Sequence, residues 1–423
     1  MSGTDEILQL TERPVWFEIN LEALTQNISS IRKCCKNEKA GICAMVKGNG
    51  YGHGAVVLSQ HLKDIGVERL GVATVEEGMQ LRRANIQGPI HLMGNLQPWE
   101  AEKCISFDLI PTVSSSEAIV AMSEAITKKP SKSYIKTNCA NGCIGDLNHN
   151  QSNRLAVIPI EGTIHIKVDS GMSRNGCQPE HLSELMKLCE NLGVTCEGIY
   201  THFADFENVE FTQSQMDIFY KAIQPYRKNE AMLFHTSNSG GIVTGVGTEL
   251  DMVRPGISIY GLPPGANVED FANKGFQPIG KVKAIATLVK ELPAGRKIGY
   301  GTTYETKDKE WIATIPFGYA DGYFRLLSNK GTVVRDSTGE KCPVVGRVSM
   351  DAITVKLSGK PSDNETFTLI TDDFDSETSA TAIAKTIDTI NYEITTRISS
   401  RVPRLYKNSK RSSAYLIDRM CLD

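Results

Sequence analysis

Lys47 stands immediately before GNGYGHG (48 to 54), a glycine-dense turn that runs into the helical pattern AVVLSQHL. A lysine amine that is partly desolvated can form an imine with an aldehyde cofactor. The glycines let the backbone approach a ligand closely, and N–H groups at a helix start favour phosphate. Further along the chain Asp169, Arg174, His202, His235 and Ser239 are followed by Arg254 in RPGI (254 to 257). This last segment, with Ser239, offers backbone N–H groups and a hydroxyl to an anion. A second chemistry fits the same turn: Gly50, Gly52 and Ala55 match G-x-G-x-x-A, a dinucleotide fingerprint, with Glu76 as the ribose acid. That match is weak, because glycine-dense turns produce such spacings by chance and a nicotinamide site needs no lysine before its turn. Taken singly, each residue also has an ordinary reading: a solvated lysine, a core histidine, a glycine that turns the chain.

Their shared location argues for more. Short apolar runs at 41 to 48, 69 to 75, 89 to 95, 109 to 115, 163 to 169, 194 to 203, 231 to 237 and 251 to 261 read as eight strands, separated by amphipathic patterns such as 180 to 192 and 211 to 226. The economical closure is a (β/α)8 TIM barrel over residues 40 to 262, whose chemistry sits at the C-terminal strand ends. Lys47 ends the first strand, Asp169 and Arg174 follow the fifth, His202 ends the sixth, His235 and Ser239 close the seventh, and Arg254 with Gly256 belongs to the eighth. Pyridoxal 5′-phosphate (PLP) would find there both its lysine and an anion cradle, in the region where barrels commonly bind phosphate.

After about residue 275 the texture changes to β-branched alternating runs with turn signals, which predicts a mainly antiparallel β domain over 275 to 423, with one helix at 378 to 399. Residues 1 to 39 form an N-terminal segment whose run VWFEIN (15 to 20) is assigned to that β domain by long-range pairing. The polar stretch 128 to 154 breaks the βα rhythm and reads as a surface insertion. At 40% hydrophobic and 22% charged residues the chain is of ordinary globular composition, and its net charge of −3 gives no footprint for nucleic acid or anionic membrane. No apolar run approaches a membrane span, and the N-terminus lacks the features of a secretory signal. The eleven cysteines show no CxxC and no metal-ligand spacing, and read as reduced thiols of a cytoplasmic enzyme that binds no metal. Cys139 and Cys143 read as free thiols.

The motifs AMVKGNGYGHG (44 to 54), IKVDSGMSRNG (166 to 176), YTHFA (200 to 204), SNSGG (237 to 241), MVRPGISIYG (252 to 261), IGYGTTY (298 to 304), IPFGYADG (315 to 322), VVGRVSMDAITV (344 to 355) and YEITTRISSRVPRLY (392 to 406) resemble, in this order, the alanine racemase family. The resemblance runs from about residue 15 to 406. It implies PLP bound to Lys47 as a Schiff base, with Lys47 the D-side base and Tyr300 the L-side base. Tyr51, Ser239, Gly256, Ile257 and Tyr392 then match phosphate-binding positions. Arg254 faces the pyridine nitrogen, Arg174 lies near the substrate carboxylate and the cofactor's phenolic oxygen, and His202 buttresses Tyr300 and Arg254. Met350, with Asp351 beside it, contacts substrate, and Tyr319 lines the substrate entrance. Because Tyr300, Tyr319 and Met350 of that family reach into a second subunit, a homodimer with composite sites follows. Lys167 occupies a position where some members carry a carbamylated lysine, and the alternatives for it are pairing with Asp169 or with a bound anion.

Racemisation needs a proton removed on one face and returned on the other, which suits an amine and a phenol. An arginine at the pyridine nitrogen keeps that nitrogen unprotonated. Alternatives to alanine racemisation are a serine or broader-range racemase, a barrel-type PLP amino-acid decarboxylase, a non-catalytic PLP carrier and a nicotinamide dehydrogenase. The bulk of Tyr319, Tyr392 and Met350 favours alanine. The chain departs from the family pattern at Gly48 and Gly50, where alanine is usual, and at Ser173, where glycine is common.

Overall fold

The computed structural model describes residues 11, 13–128 and 162–407, with the backbone of 416–418. All but the first residue of the 128 to 154 insertion, with Cys139 and Cys143, lies outside the described residues. Contacts divide the chain into two units: Cys34–Lys47 with Lys63–Pro255, and Met1–Lys33 with Gly48–Leu62 and Gly256–Asp423.

The first strand of the chain, β1 (Val15–Asn20), belongs to the second of these and is taken up below. The first unit is a parallel barrel of β2 (Gly41–Met45), β3 (Arg69–Val72), β4 (Ile90–Asn95), β5 (Ile110–Val113), β6 (Ile164–Lys167), β7 (Cys196–Tyr200), β8 (Leu233–His235) and β9 (Met252–Val253). Successive strands from β2 to β8 pair side by side, and β9 returns to β2 with Gly41 opposite Met252. Bonds from Asp251 N to Phe234 O (3.0 Å) and from Arg254 N to Ser237 O (2.8 Å) join the last two strand regions. Most of these strands are buried on both faces, as parallel strands under helices must be, which is why they read as short apolar runs. The helices between them carry ordinary signals: a Thr74/Glu77 capping box opens Val75–Arg83, and left-handed Gly193 closes Leu182–Leu192. The eighth strand is much shorter than the run 251 to 261, because Pro255 cannot donate to a ladder and Ile257–Tyr260 winds into a 3₁₀ turn.

The second unit holds the antiparallel strands β10 (Gly280–Ile285), β11 (Leu288–Leu292), β12 (Lys297–Ile298), β13 (Tyr304–Glu305), β14 (Glu310–Ile315), β15 (Thr332–Arg335), β16 (Glu340–Pro343), β17 (Ile353–Leu357) and β18 (Thr366–Ile370), then β19 (Arg404–Lys407) and β20 (Leu416–Asp418). A seven-stranded sheet runs β16-β15-β18-β10-β1-β19-β20, and a three-stranded sheet runs β11-β14-β17. The upstream strand β1 lies inside the larger sheet, antiparallel to β10 and parallel to β19. The single helix expected over 378 to 399 is two, Ala380–Thr386 and Asn391–Thr396. The β-branched stretch TIDTI disfavours helix, Asp388 is left-handed (φ 58°), and Asn391 Nδ2 pins the second helix by donating to Pro263 O at 2.9 Å.

The turn after Lys47 is a run of left-handed residues, Gly48, Asn49, Gly50 and Tyr51 (φ 62°, 52°, 61° and 51°). Glycine at 48 and 50 spares two of these four the Cβ clash, about 1–2 kcal/mol each. Gly52 is required outright, since a Cβ there would lie 1.9 Å from Thr395 O. The turn is held by the end of the chain. Buried Arg404 donates Nε and Nη2 to Gly52 O (3.1 and 2.9 Å), Nη1 to Ser399 and Val402 carbonyls, and Nη2 to Ile398 O, the last three at 2.6 Å. Tyr406 donates to His53 O at 2.9 Å. Replacing Arg404 with methionine keeps the length of the side chain but leaves four buried carbonyls short of donors. Arg404→Met is expected to lower the urea midpoint at unchanged slope by the equivalent of about 3–5 kcal/mol. An unaltered midpoint would show that this clamp does not support the fold.

Candidate active site

In the barrel unit Lys47 follows β2 directly, one residue past Val46, whose N–H donates to Gly71 O. Burial pulls its ammonium below the ordinary lysine value, the Arg174 charge adds to this, and Glu77 opposes it. A neutral amine therefore becomes available at lower pH than for a solvated lysine. Lys167 ends β6 and is buried, and its ammonium is pushed down to about 8 by burial, then by Arg174 and Arg254. Its Nζ lies 6.0 Å from the Tyr200 ring centre. Asp169 is engaged elsewhere: its Oδ1 accepts from Gly171 N (3.0 Å) and Ser173 N (2.9 Å), shaping the loop that carries the exposed Arg174. Ser173 is left-handed (φ 57°), which gives the physical reason for glycine at that position.

Arg254 is buried and spends its guanidinium on four acceptors. Nη1 donates to His235 Nδ1 (2.7 Å), and Nη2 donates to Thr201 O (2.7 Å), Thr236 O (2.9 Å) and His202 Nδ1 (3.2 Å). It also lies over the Tyr200 ring at 4.8 Å. Burial lowers its pKa to about 10, so it stays charged at neutral pH. The network continues into the barrel: His235 Nε2 meets His165 Nδ1 (2.9 Å), His165 Nε2 meets Glu197 Oε2 (3.1 Å), and Glu197 takes two bonds from Arg69 (2.8 and 2.6 Å). Arg69 also faces His91 Nε2 at 3.1 Å. Ser239 opens the short helix Ser239–Thr244, which Asn238 caps.

The sequence reading took in Lys47, Lys167, Arg174, His202, Ser239 and Arg254 of this unit, and noted His235 without giving it a role. It missed Arg69, His91, His165, Glu197 and Tyr200. Their signal is a polar residue inside an otherwise apolar parallel strand, as in IHLM, TIHIK and CEGIY, where an unpartnered polar group would be costly.

The other unit brings together a second set. The Tyr51 ring lies 4.9 Å from Tyr260 and 6.2 Å from Tyr392, whose phenol burial pushes up to about 12. Gly256 leads into the buried turn that begins with Ile257. Tyr300, Tyr319 and Met350 are instead 75%, 45% and 51% exposed, well above what large apolar side chains usually show. Tyr319 N and Ala320 N donate to Ser349 O and Met350 O, which places Tyr319 beside Met350. Asp351 accepts from Arg401 Nη2 at 2.8 Å. Tyr300 sits between left-handed Gly299 and Gly301. Among the described residues no group of His, Cys, Asp and Glu could hold a metal ion, and no helix is long and apolar enough to cross a membrane.

A parallel barrel whose first strand leads into a partly desolvated lysine, and whose last is followed by a buried arginine held by four acceptors, fits the class of barrel enzymes that carry PLP on a lysine. Family models agree and go further: the alanine racemase N-terminal domain matches residues 19–264 and the C-terminal domain matches 279–406. The chain belongs to the alanine racemase family. It is 37% identical to an alanine racemase of Halothermothrix orenii, over 94% of this chain and 97% of the relative. Among solved structures, the alanine racemase of Clostridium difficile 630 aligns with a TM-score of 0.81 at 31% identity, over 97% of this chain and 99% of that one. That of Bartonella henselae, with covalently bound pyridoxal phosphate, aligns at 0.74 and 26% identity, over 93% and 99%.

Burial would raise the Glu197 carboxyl, but hydrogen bonds from Arg69 and His165 outweigh it and hold the group well below the ordinary value of 4.5. A carboxylate whose folded pKa is depressed adds stability that is fully present above its unfolded value and is lost as pH falls through the folded one. Glu197→Gln is therefore expected to cost about 3–5 kcal/mol at pH 7, because it strands the buried Arg69 charge. The gap should narrow below about pH 4.5, as the wild-type carboxylate loses its own advantage. Urea titrations at the two pH values check this, and a gap independent of pH would rule out the ionised pair as its source.

Proposed function

We propose that this chain interconverts L- and D-alanine with PLP, using Lys47 on the D side and the Tyr300 of a second copy on the L side. The observation that carries this reading is the contrast between the two bases. Lys47 is drawn into the barrel unit with its ammonium held down, whereas Tyr300 stands three-quarters exposed, as a base that serves a second copy would. The residues present fit the cofactor by their chemistry: a lysine amine freed by burial, a buried arginine with donors only, and hydroxyls at Ser239, Tyr51 and Tyr392. When bound, PLP supplies an electron sink that acidifies the substrate's α-hydrogen.

Lys47 then takes or returns the proton on one face and Tyr300 on the other. Arg254, permanently charged, would face the pyridine nitrogen of bound PLP and keep it unprotonated. Ser239, Tyr51, Gly256, Ile257 and Tyr392 would hold the phosphate, two of these through backbone N–H groups. Arg174 orients the substrate carboxylate, and Lys167, with its lowered pKa, is suited to carry a carbamate that steadies the Arg174 fork. Met350 contacts the substrate through its backbone N–H, with Asp351 held alongside by Arg401. Tyr319 narrows the entrance, and the bulk of Tyr319, Tyr392 and Met350 selects alanine over serine and larger amino acids. His202, held at Nδ1 by Arg254, would support Tyr300.

A homodimer follows from this division of labour, and the exposed Tyr300, Tyr319 and Met350 supply apolar surface for the contact. Free thiols at all eight described cysteines suit the cytoplasm.

Turnover measured on alanine, serine and a basic amino acid tests the assignment, and alanine should be racemised fastest. Lys47→Ala is expected to abolish borohydride fixation of the PLP chromophore and to lower racemisation at least about a thousandfold, since one group serves both as anchor and as base. Wild-type-like racemisation by this variant would overturn the role of Lys47. Tyr300→Phe is expected to retain PLP while nearly eliminating racemisation in both directions, with residual solvent-deuterium exchange confined to D-alanine. Exchange from L-alanine at the normal rate would show that Tyr300 is not the L-side base.

A further inference from the structure

Arg254 and Glu197 terminate one unbroken line of side chains through the barrel interior, Arg254–His235–His165–Glu197, with contacts of 2.7, 2.9 and 3.1 Å. The direction of every bond in it follows from its ends. A guanidinium only donates and a carboxylate only accepts. His235 Nδ1 must therefore accept from Arg254, which puts the His235 proton on Nε2. That proton goes to His165 Nδ1, so the His165 proton is also on Nε2 and is donated to Glu197. A second proton on either ring would set two donors against each other, at His235–His165 or at Arg254–His235. Proton transfer from His165 to Glu197 is opposed as well, because Arg69 grips both carboxylate oxygens.

We propose that Glu197, second residue of β7 and three before its C-terminal end, is a positioning residue that locks His165 and His235 as neutral Nε2–H tautomers and thereby fixes the Arg254 guanidinium. The role assigned to Arg254 rests on the racemase reading, whereas the tautomer lock does not. Burial holds both rings below the ordinary histidine pKa, consistent with neutral imidazoles. The same logic gives the opposite tautomer to His91: its Nε2 faces the donor Arg69 at 3.1 Å, so its proton belongs on Nδ1. The barrel thus carries its own internal control.

Glutamine at 197 would remove the lock, because a carboxamide can present either its oxygen or its NH₂ to His165 Nε2. In the second arrangement the His165 proton moves to Nδ1, His235 follows, and Arg254 loses an acceptor. Solid-state ¹⁵N spectra of the holoenzyme labelled at histidine, assigned with His165→Gln and His235→Gln, read the tautomers directly. In wild type His165 and His235 should each show a protonated Nε2 and a bare Nδ1, unchanged from about pH 6 to 9, and His91 the reverse. In Glu197→Gln the His165 signals should divide between two tautomers. Its kcat for alanine should fall about tenfold with KM within about twofold, and Glu197→Asp should restore a single tautomer and most of kcat. A wild-type His165 or His235 protonated on Nδ1, singly or doubly, overturns the proposal. So does a Glu197→Gln enzyme with undivided His165 signals or with undiminished kcat. Absence of racemisation in wild type with the tautomers as stated would instead count against the racemase reading alone.

Discussion

A guanidinium buried in a barrel has to be given acceptors, and in this protein Arg254 imposes that requirement on the strands around it. Taking an unpartnered charge out of water costs several kcal/mol even after relaxation, so the charge persists only where the surroundings are built to receive it. Thr201 and Thr236 turn carbonyls inward just past β7 and β8, His202 and His235 turn ring nitrogens, and Tyr200 turns the face of its ring. The Arg254 N–H in turn bonds Ser237 O and ties the end of β9 to the segment after β8. One cation therefore sets the geometry of three strand ends, the region where a barrel places its chemistry.

The other unit solves a different problem with the same group. The turn after Lys47 is a left-handed run whose carbonyls find no partners in a regular ladder, and Arg404 collects one of them together with three from the segment 398 to 402. The planar fork of arginine reaches several carbonyls at fixed angles, which a lysine ammonium on a flexible stem does not. The residue that holds this turn is 352 positions later in the chain, so the conformation that follows Lys47 depends on the last strands having formed.

This separation explains what the sequence revealed and what it did not. The eight barrel strands were legible because parallel strands under helices are apolar on both faces, and their C-terminal limits were overrun because strand-end loops in this fold continue with functional residues rather than turn signals. Lys47, Arg254 and the motif residues stood out because their types are expensive to bury without a purpose. The break between Ala380–Thr386 and Asn391–Thr396 was missed because periodicity continues across it, while left-handed Asp388 and the bond from Asn391 to Pro263 are set by tertiary contacts. The interior histidines were missed for a similar reason. A histidine in an apolar strand shows only that some partner exists, and Glu197 and Arg69 are identified as partners once the strand register is fixed.

The two-base reading proposed above accounts for the exposed tyrosine in similar terms. Side chains on the C-terminal ends of barrel strands all approach a bound substrate from the barrel side. In the proposed racemisation the two proton-transferring groups would stand on opposite faces of one carbon, and the second would then be carried on a different body. A base carried for another copy has to stand proud of its own chain, at the cost of leaving an aromatic ring in water until the contact forms. On the two-base reading, Tyr300, three-quarters exposed between two left-handed glycines, has the form such a base would need. Tyr319 and Met350, adjacent to one another and similarly exposed, would meet the same demand on that reading: apolar surface that becomes favourable when a second copy covers it. On that reading, the division between a half-buried amine and an exposed phenol is what a two-sided proton transfer would require of a one-sided barrel.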